Sequence, residues 1–169
     1  MVEQLSQKAG TVSLRPSTTE DEQFLFEVYA STRMDELDAI GMDKAQEEIF
    51  LNMQYMLQRQ FYRTHFTQSS YDIILLDGIP AGRFIVNRTE EEIRGVDIAL
   101  LPEYRSLGIG SYLILQLQEE SNLSGKPFRF QVEKSNHRAF RLYQRLGFIK
   151  TGEIGMHYQM EWQPRGASA

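Results

Sequence analysis

A change in the spacing of apolar residues near position 70 limits the folds that this chain can adopt. Before it, apolar residues recur every three or four positions, as on one face of a helix. After it, strand-like runs are interrupted by two further helical segments. The predicted order is a strand, two helices, three antiparallel strands, a helix, a strand, a helix and two strands. This order predicts an α+β, or mixed α/β, domain built around one twisted sheet.

Two helices are predicted in the first half of the chain. Ser17 and Glu20 have the spacing of a capping box, which marks the start of the first helix. Asp43 and Gln46 mark the start of the second in the same way. The second helix carries a stripe of large apolar residues, which we interpret as a core-facing stripe. Its members are Ile49, Phe50, Met53, Met56, Leu57 and Phe61.

The second half contains clear turn and helix-end signals. Asp77-Gly78 suits a tight hairpin turn between the strand-like runs YDIILL and GRFIVN. A helix is predicted over 110–122, with Leu113, Ile114 and Leu117 on its buried face. Another is predicted over 136–146, and Gly147 ends it.

Composition excludes several classes of protein. With 169 residues the chain suits one domain over 1–169, and we expect an ordered core at about 11–163. The chain has no Cys and only three scattered His, so we expect no metal site. A net charge of −5 argues against a nucleic-acid partner. Because no signal-like or membrane-length apolar run occurs, we expect a cytoplasmic protein with no membrane partner.

The segment from Leu101 to Gly110 lies between a predicted strand and an apolar helix, where phosphate groups often bind. A P-loop would require Lys after the second Gly, but Ser111 follows it. A dinucleotide-binding fingerprint would require a small residue where Leu113 stands. The remaining pattern is Arg-x-x-Gly-x-Gly, which begins at Arg105.

A second motif follows in the helix predicted over 136–146. The segment reads Asn-x-x-Ala-x-x-x-Tyr-x-x-x-Gly-Phe, from Asn136 to Phe148. With the preceding ALLPEYR and the Arg-x-x-Gly-x-Gly pattern, it resembles the GNAT superfamily of N-acetyltransferases from about Tyr71 to Trp162. This resemblance implies a mixed, largely antiparallel sheet flanked by helices, and acetyl-CoA as co-substrate.

The resemblance also implies which residues bind the coenzyme. In the family, main-chain groups of the strand before the loop meet the pantetheine arm, and loop N–H groups bind the pyrophosphate. The helix Asn hydrogen-bonds the arm, and the Tyr lies near the sulfur. The corresponding residues are Ala99, Leu100, Leu101, Arg105, Leu107, Gly108, Ile109, Gly110, Ser111, Tyr112, Asn136 and Tyr143.

Tyr143 is the catalytic residue that the resemblance implies, as the general acid that protonates the departing thiolate. Relatives that acetylate protein amino termini carry a Glu five residues before the Asn, but this chain has Gln131 there. The general base is therefore left open between Glu133, Asp97 and a water molecule.

The expected activity is transfer of an acetyl group to a primary amine of a small molecule or peptide. A non-catalytic acyl-CoA-binding regulator is the alternative, and a homodimer is left open. Three acidic residues could attract a cationic acceptor, although a solvated acidic turn explains them equally: Asp35, Glu36 and Asp38. The second helix could line an acceptor pocket with Met53, Tyr55, Met56 and Phe61, but their spacing more simply indicates core.

Overall fold

A seven-stranded sheet forms the centre of the protein, and the computed structural model describes residues 10–166. The strands are β1 (Val12–Pro16), β2 (Ser69–Leu76), β3 (Ile79–Arg88), β4 (Ile93–Leu100), β5 (Phe128–Glu133), β6 (Ile149–Ile154) and β7 (His157–Trp162). The helices are α1 (Glu22–Ile40), α2 (Lys44–His65), α3 (Ile109–Ser124) and α4 (His137–Arg145). The chain ends that we expect to lie outside the ordered core, before about residue 11 and after about residue 163, fall largely on residues 1–9 and 167–169, which the structure does not describe.

The sheet order is β1-β2-β3-β4-β5-β7-β6. Only β4 and β5 pair in parallel, and all other neighbours are antiparallel. This topology confirms the predicted mixed, largely antiparallel sheet. The described helices α1 to α4 include none with the apolar length that a bilayer crossing requires.

The two faces of the sheet are covered by different helices. Phe84 on β3 packs in the main core with Leu113 and Leu117 of α3. Its neighbour Arg83 points to the other face, because successive strand residues alternate, and it hydrogen-bonds Gln58 of α2. The α3 and α4 side therefore holds the main core, and the α1 and α2 side holds a smaller one.

The capping box lies one residue later than predicted, and it caps a 3-10 turn over Thr19–Asp21 that leads into α1. Thr18 and Asp21, rather than Ser17 and Glu20, form the box: the Thr18 N–H donates to Asp21 Oδ2 at 2.8 Å. Arg15 on β1 donates to both oxygens of Asp21 at 2.8 Å. This bidentate contact holds Asp21 in place and so stabilises the turn that precedes α1.

The core-facing stripe predicted on α2 is the main error of the sequence interpretation. Five of its six residues are 51–72% exposed, namely Ile49, Met53, Met56, Leu57 and Phe61, and only Phe50 packs against the smaller core. The buried face of α2 instead carries Leu51 and Tyr55. Gln58 and Tyr62 lie on the same face and make polar contacts with the sheet. The spacing of the most apolar residues therefore predicted the wrong side of α2 as the buried one.

The other local predictions agree with the structure. Asp77 and Gly78 have φ of 51° and 79°, as a two-residue hairpin turn requires. The Gln46 N–H donates to Asp43 Oδ1 at 2.9 Å at the start of α2. Leu113, Ile114 and Leu117 are all buried.

Candidate active site

The strands β4 and β5 separate in the middle of the sheet. Their pairing is limited to three residues of each strand, 93–95 on β4 and 128–130 on β5. Beyond this point β5 continues its pairing with β7 as far as Glu133. One edge of β4 therefore has no strand partner after Gly95, and its main-chain groups face a gap.

The direction in which the main-chain N–H and C=O groups point decides which predicted residues of β4 can hydrogen-bond a ligand in this gap. The Leu101 N–H donates to Ala81 O at 2.9 Å, and Leu101 O accepts from the Tyr104 N–H at 3.0 Å. Ala99 also faces β3, since a Cβ added at Gly82 would lie 2.1 Å from Ala99 O. Because main-chain groups alternate along a strand, only Leu100 of the three predicted residues presents its groups to the gap. The main-chain groups of Ala99 and Leu101 face β3 and the following loop instead.

The loop that follows β4 leads directly into α3. Pro102–Tyr104 form a 3-10 turn, Ser106 and Gly108 have φ of 63° and 84°, and α3 starts at Ile109. Within residues 10–166 no acceptor hydrogen-bonds the N–H groups of Leu107 to Ser111. We refer to these five groups as the free amides. They lie at the positive end of the α3 dipole and suit an anion.

Tyr112 does not belong to the free amides, although the resemblance included it. Its N–H donates to Gly108 O at 3.0 Å, which is the first hydrogen bond of the helix. The glycine loop can therefore offer main-chain donors only up to Ser111.

Gly110 leaves open space beside the free amides. A Cβ added there would come no closer than 3.9 Å to another part of the protein, the Cδ1 atom of Ile98. Its backbone is helical and does not adopt a positive φ. Neither packing nor conformation explains a glycine at this position, and the space fits a ligand group that approaches the backbone, such as a diphosphate.

Two arginines lie beside the glycine loop, but they play different parts. Arg105 Nε donates to Leu100 O at 3.0 Å, and its Nη2 lies 3.3 Å from the Ser31 hydroxyl on α1. This residue therefore fastens the end of β4 to α1. Arg138 on α4 hydrogen-bonds the hydroxyl of Ser106. Sequence reasoning missed Arg138, because the helix motif leaves that position unspecified.

Asn136 and Tyr143 both belong to the α4 segment, as the motif requires. Asn136 is the N-cap, and its Oδ1 accepts from the Ala139 N–H at 3.1 Å. Its carbonyl oxygen is therefore engaged by the helix, and its Nδ2 has no acceptor among residues 10–166.

The ring of Tyr143 is held by aromatic neighbours. It packs edge-on against Phe130, with 4.1 Å between ring centroids, and lies 6.0 Å from the ring of Phe148. No group within residues 10–166 hydrogen-bonds its hydroxyl. Burial, and to a lesser extent the negative charge of Asp97, raises the pKa of Tyr143 to about 12. The residue is thus a neutral phenol with a proton to donate at physiological pH.

The comparison with family models identifies the architecture. Residues 42–148 match the model of the acetyltransferase (GNAT) family. The chain belongs to the GNAT family. The match covers α2, the two strands β4 and β5 on either side of the gap, the glycine loop and α4.

Solved acetyltransferase structures share this fold. The PaiA N-acetyltransferase from Thermoplasma acidophilum, in complex with coenzyme A, is 20% identical, with a TM-score of 0.67 over 90% of this chain and 99% of that one. An acetyltransferase from Thermus thermophilus is 18% identical, with a TM-score of 0.62 over 91% and 97% of the two chains. No curated protein sequence is significantly similar to this chain.

Both candidate bases of this GNAT protein lie on the α1 and α2 side of the sheet. Asp97 Oδ2 is 2.5 Å from Arg83 Nη2 and accepts from the Tyr62 hydroxyl at 3.1 Å. Glu133 Oε1 is 3.6 Å from Arg33 Nη1 on α1. Each carboxylate is therefore paired with an arginine, but the side chain of Asp97 is only 14% exposed whereas that of Glu133 is 43% exposed.

The acidic residues considered for acceptor binding do not form a turn. Asp35, Glu36 and Asp38 lie within the last turns of α1 and are exposed. Glu36 lies 3.5 Å from Arg33 of the same helix. Their position on a solvated helix surface gives no sign of an acceptor site.

Proposed function

We propose that the protein is a cytoplasmic enzyme that transfers the acetyl group of acetyl-CoA to a primary amine of a small molecule or peptide. The observation that carries this proposal is the set of free amides at the start of α3, next to the gap between β4 and β5. Membership of the GNAT family supports the same reaction class.

The free amides would hold the pyrophosphate, and the guanidinium of Arg138 would add a positive charge beside them. The Leu100 N–H and Asn136 Nδ2 would bind the pantetheine arm along the gap. Arg105 would act indirectly by fixing the carbonyl of Leu100, which orients the N–H of that strand. Acetyl-CoA supplies a thioester whose carbonyl carbon is open to attack by an amine.

Transfer would occur directly, in a ternary complex of enzyme, acetyl-CoA and amine. The amine nitrogen forms a bond to the acetyl carbon, and the carbon–sulfur bond breaks. Tyr143 donates its proton to the departing thiolate and regains one from solvent. The ammonium loses two protons in all, so the net reaction releases the amide, coenzyme A and one proton.

Deprotonation of the amine is the demanding step. An ammonium with a pKa near 10.4 is neutral in only about one molecule in 2,500 at pH 7. Asp97 is the better placed of the two candidate bases, because it lies in the unpaired part of β4 and its charge acts on Tyr143. Glu133 and a water molecule remain the alternatives to be tested.

Two measurements test this function. Acetyl-CoA at 100 times its Kd should raise the free energy of unfolding by about 2.7 kcal/mol. Thiol release should then reveal turnover with at least one amine in a panel of antibiotics, polyamines, amino acids and peptides. Tyr143→Phe should lower kcat about 10²- to 10⁴-fold while acetyl-CoA still binds.

Each negative result has a different meaning. Failure of acetyl-CoA to stabilise the protein would rule out both functions, the acetyltransferase and the acyl-CoA-binding regulator. Stabilisation without turnover of any amine would favour the regulator. Undiminished turnover by Tyr143→Phe would remove this residue from the acid role and leave the reaction itself standing.

A further inference from the structure

The side of α2 that faces away from the sheet carries an uncovered apolar surface. Five large side chains on it are 51–72% exposed, namely Ile49, Met53, Met56, Leu57 and Phe61, and we refer to them as the outer face of α2. Each lies three or four positions from another member, so together they form one continuous surface along the helix. Continuous apolar patches of this kind mark surfaces that another molecule covers.

The area of the outer face matches the lower range of protein interfaces. Large apolar side chains that are half to three quarters exposed present on the order of 100 Å² each. Two copies of the face would together bury about 1,000 Å², which is close to the least that a specific interface requires. The area therefore suits a reversible dimer, with a Kd on the order of 10 µM.

The spacing within the outer face suits another helix as the occupant. Ile49, Met53 and Met56 follow one another at intervals of four and then three residues. This alternation is that of the contact positions of two long helices that pack about 20° from parallel or antiparallel. Since α2 has 22 residues, a second copy of it would extend along the whole outer face.

The charges near the two ends of α2 determine the direction of the second copy. Glu48 and Arg63 are both exposed, and neither makes a salt bridge within residues 10–166. They lie about 12 and 10 Å from Met56 along the helix axis, in opposite directions, and about 60° apart around it. In an antiparallel pair with a twofold axis at Met56, Glu48 of each copy is level with Arg63 of the other. A parallel pair would place like charges together.

We propose that the protein forms a reversible homodimer through the outer face of α2, with the two helices antiparallel and the twofold axis near Met56. Such a contact is isologous, since the same surface serves both copies. The opposite side of α2 packs on the sheet, so the gap between β4 and β5 stays open in each protomer. The inference is therefore independent of the proposed reaction.

Sedimentation velocity over protein concentrations of about 1–200 µM tests the dimer, because this range spans the expected Kd. The mass of the wild type should rise from the 19.6 kDa of one chain towards twice that value. Met56→Glu places two carboxylates face to face at the axis and should raise the Kd at least about 100-fold. Leu123→Glu is the matched control, at an 88% exposed residue of α3, and should leave the Kd unchanged.

A charge exchange tests the antiparallel direction. Glu48→Arg and Arg63→Glu should each raise the dimer Kd about 5-fold, because each replaces two attractive contacts by two repulsive ones. The double variant should recover the Kd of the wild type, since the exchanged charges pair again. Losses that add up in the double variant would contradict the antiparallel arrangement.

Measurements on dilute protein separate association from folding. Below about 1 µM, where the wild type should be monomeric, Met56→Glu should have the far-UV circular dichroism spectrum and the Tm of the wild type, because Met56 is 67% exposed in the protomer. If Met56→Glu failed to fold, the charge exchange would still decide. A wild type that stays monomeric up to about 200 µM would overturn the inference. A dimer that folded Met56→Glu leaves intact would overturn it as well, because the contact would then lie elsewhere.

Discussion

Replacement of Gly110 by alanine separates the needs of the fold from the needs of the coenzyme. In the free protein the new methyl group would lie 3.9 Å from Ile98 Cδ1, an ordinary contact. Alanine is favoured over glycine within a helix by about 0.5–1 kcal/mol, so the variant should be equally stable or slightly more stable. In the complex the same methyl group would occupy the space through which the diphosphate reaches the free amides. Each lost hydrogen bond to a charged group costs about 1.5–3 kcal/mol.

The expected result is therefore a protein of undiminished stability with an acetyl-CoA Kd raised about 10- to 100-fold. Urea denaturation measures the first quantity and isothermal titration calorimetry the second. Gly108→Ala is the contrasting variant, because its φ of 84° makes alanine unfavourable by about 1–2 kcal/mol in the fold itself. If Gly110→Ala bound acetyl-CoA as tightly as the wild type, close approach of the diphosphate to this backbone would be refuted.

Three further predictions concern the core, the first helix and the pH dependence of catalysis. In urea denaturation of the dilute monomer, Leu51→Ala should lower the free energy of unfolding by about 2–5 kcal/mol, because it leaves a cavity in the smaller core. Met56→Gln, on the exposed side of α2, should change it by less than about 0.5 kcal/mol. Equal losses of stability in the two variants would contradict the assigned buried face of α2. Hydrogen bonds from Arg15 lower the pKa of Asp21 to about 2, so this contribution to stability is present above about pH 4 and disappears as the pH falls towards 2. The urea midpoint should therefore fall less between pH 7 and pH 3 in Asp21→Asn than in the wild type. An equal fall in the two proteins would contradict a stabilising role for the ionised Asp21. The phenol of Tyr143 should stay protonated up to about pH 10, because its pKa is raised to about 12. We therefore expect kcat/KM to rise with pH up to about 10, as the amine substrate loses its proton. A decrease in kcat/KM between about pH 8 and 10 that is absent in Tyr143→Phe would contradict this expectation.

The order of strands and helices could be read from the sequence because local signals determine it. The Asp77-Gly78 turn, the Asp43 cap and the apolar face of α3 each depend on residues close together in the chain. The glycine loop was recognisable for the same reason. Its main-chain donors need only a strand end, glycines and a helix start, all within about ten residues.

Long-range contacts explain what the sequence left unresolved. The buried side of α2 carries Leu51 and Tyr55 and contacts the sheet through Gln58 and Tyr62, whereas the side with more apolar residues is exposed. The pairing of Asp97 with Arg83 joins residues on two adjacent strands. Arg138 meets the glycine loop only because α4 packs beside it, although 32 positions separate it from Ser106.

A crystal structure of the protein with coenzyme A would test the central claim most directly. The account predicts that diphosphate oxygens lie within about 3 Å of the N–H groups of Ile109, Gly110 and Ser111, with the thiol in the gap beside Tyr143. A coenzyme bound with its diphosphate away from the start of α3, while these N–H groups face solvent, would contradict it.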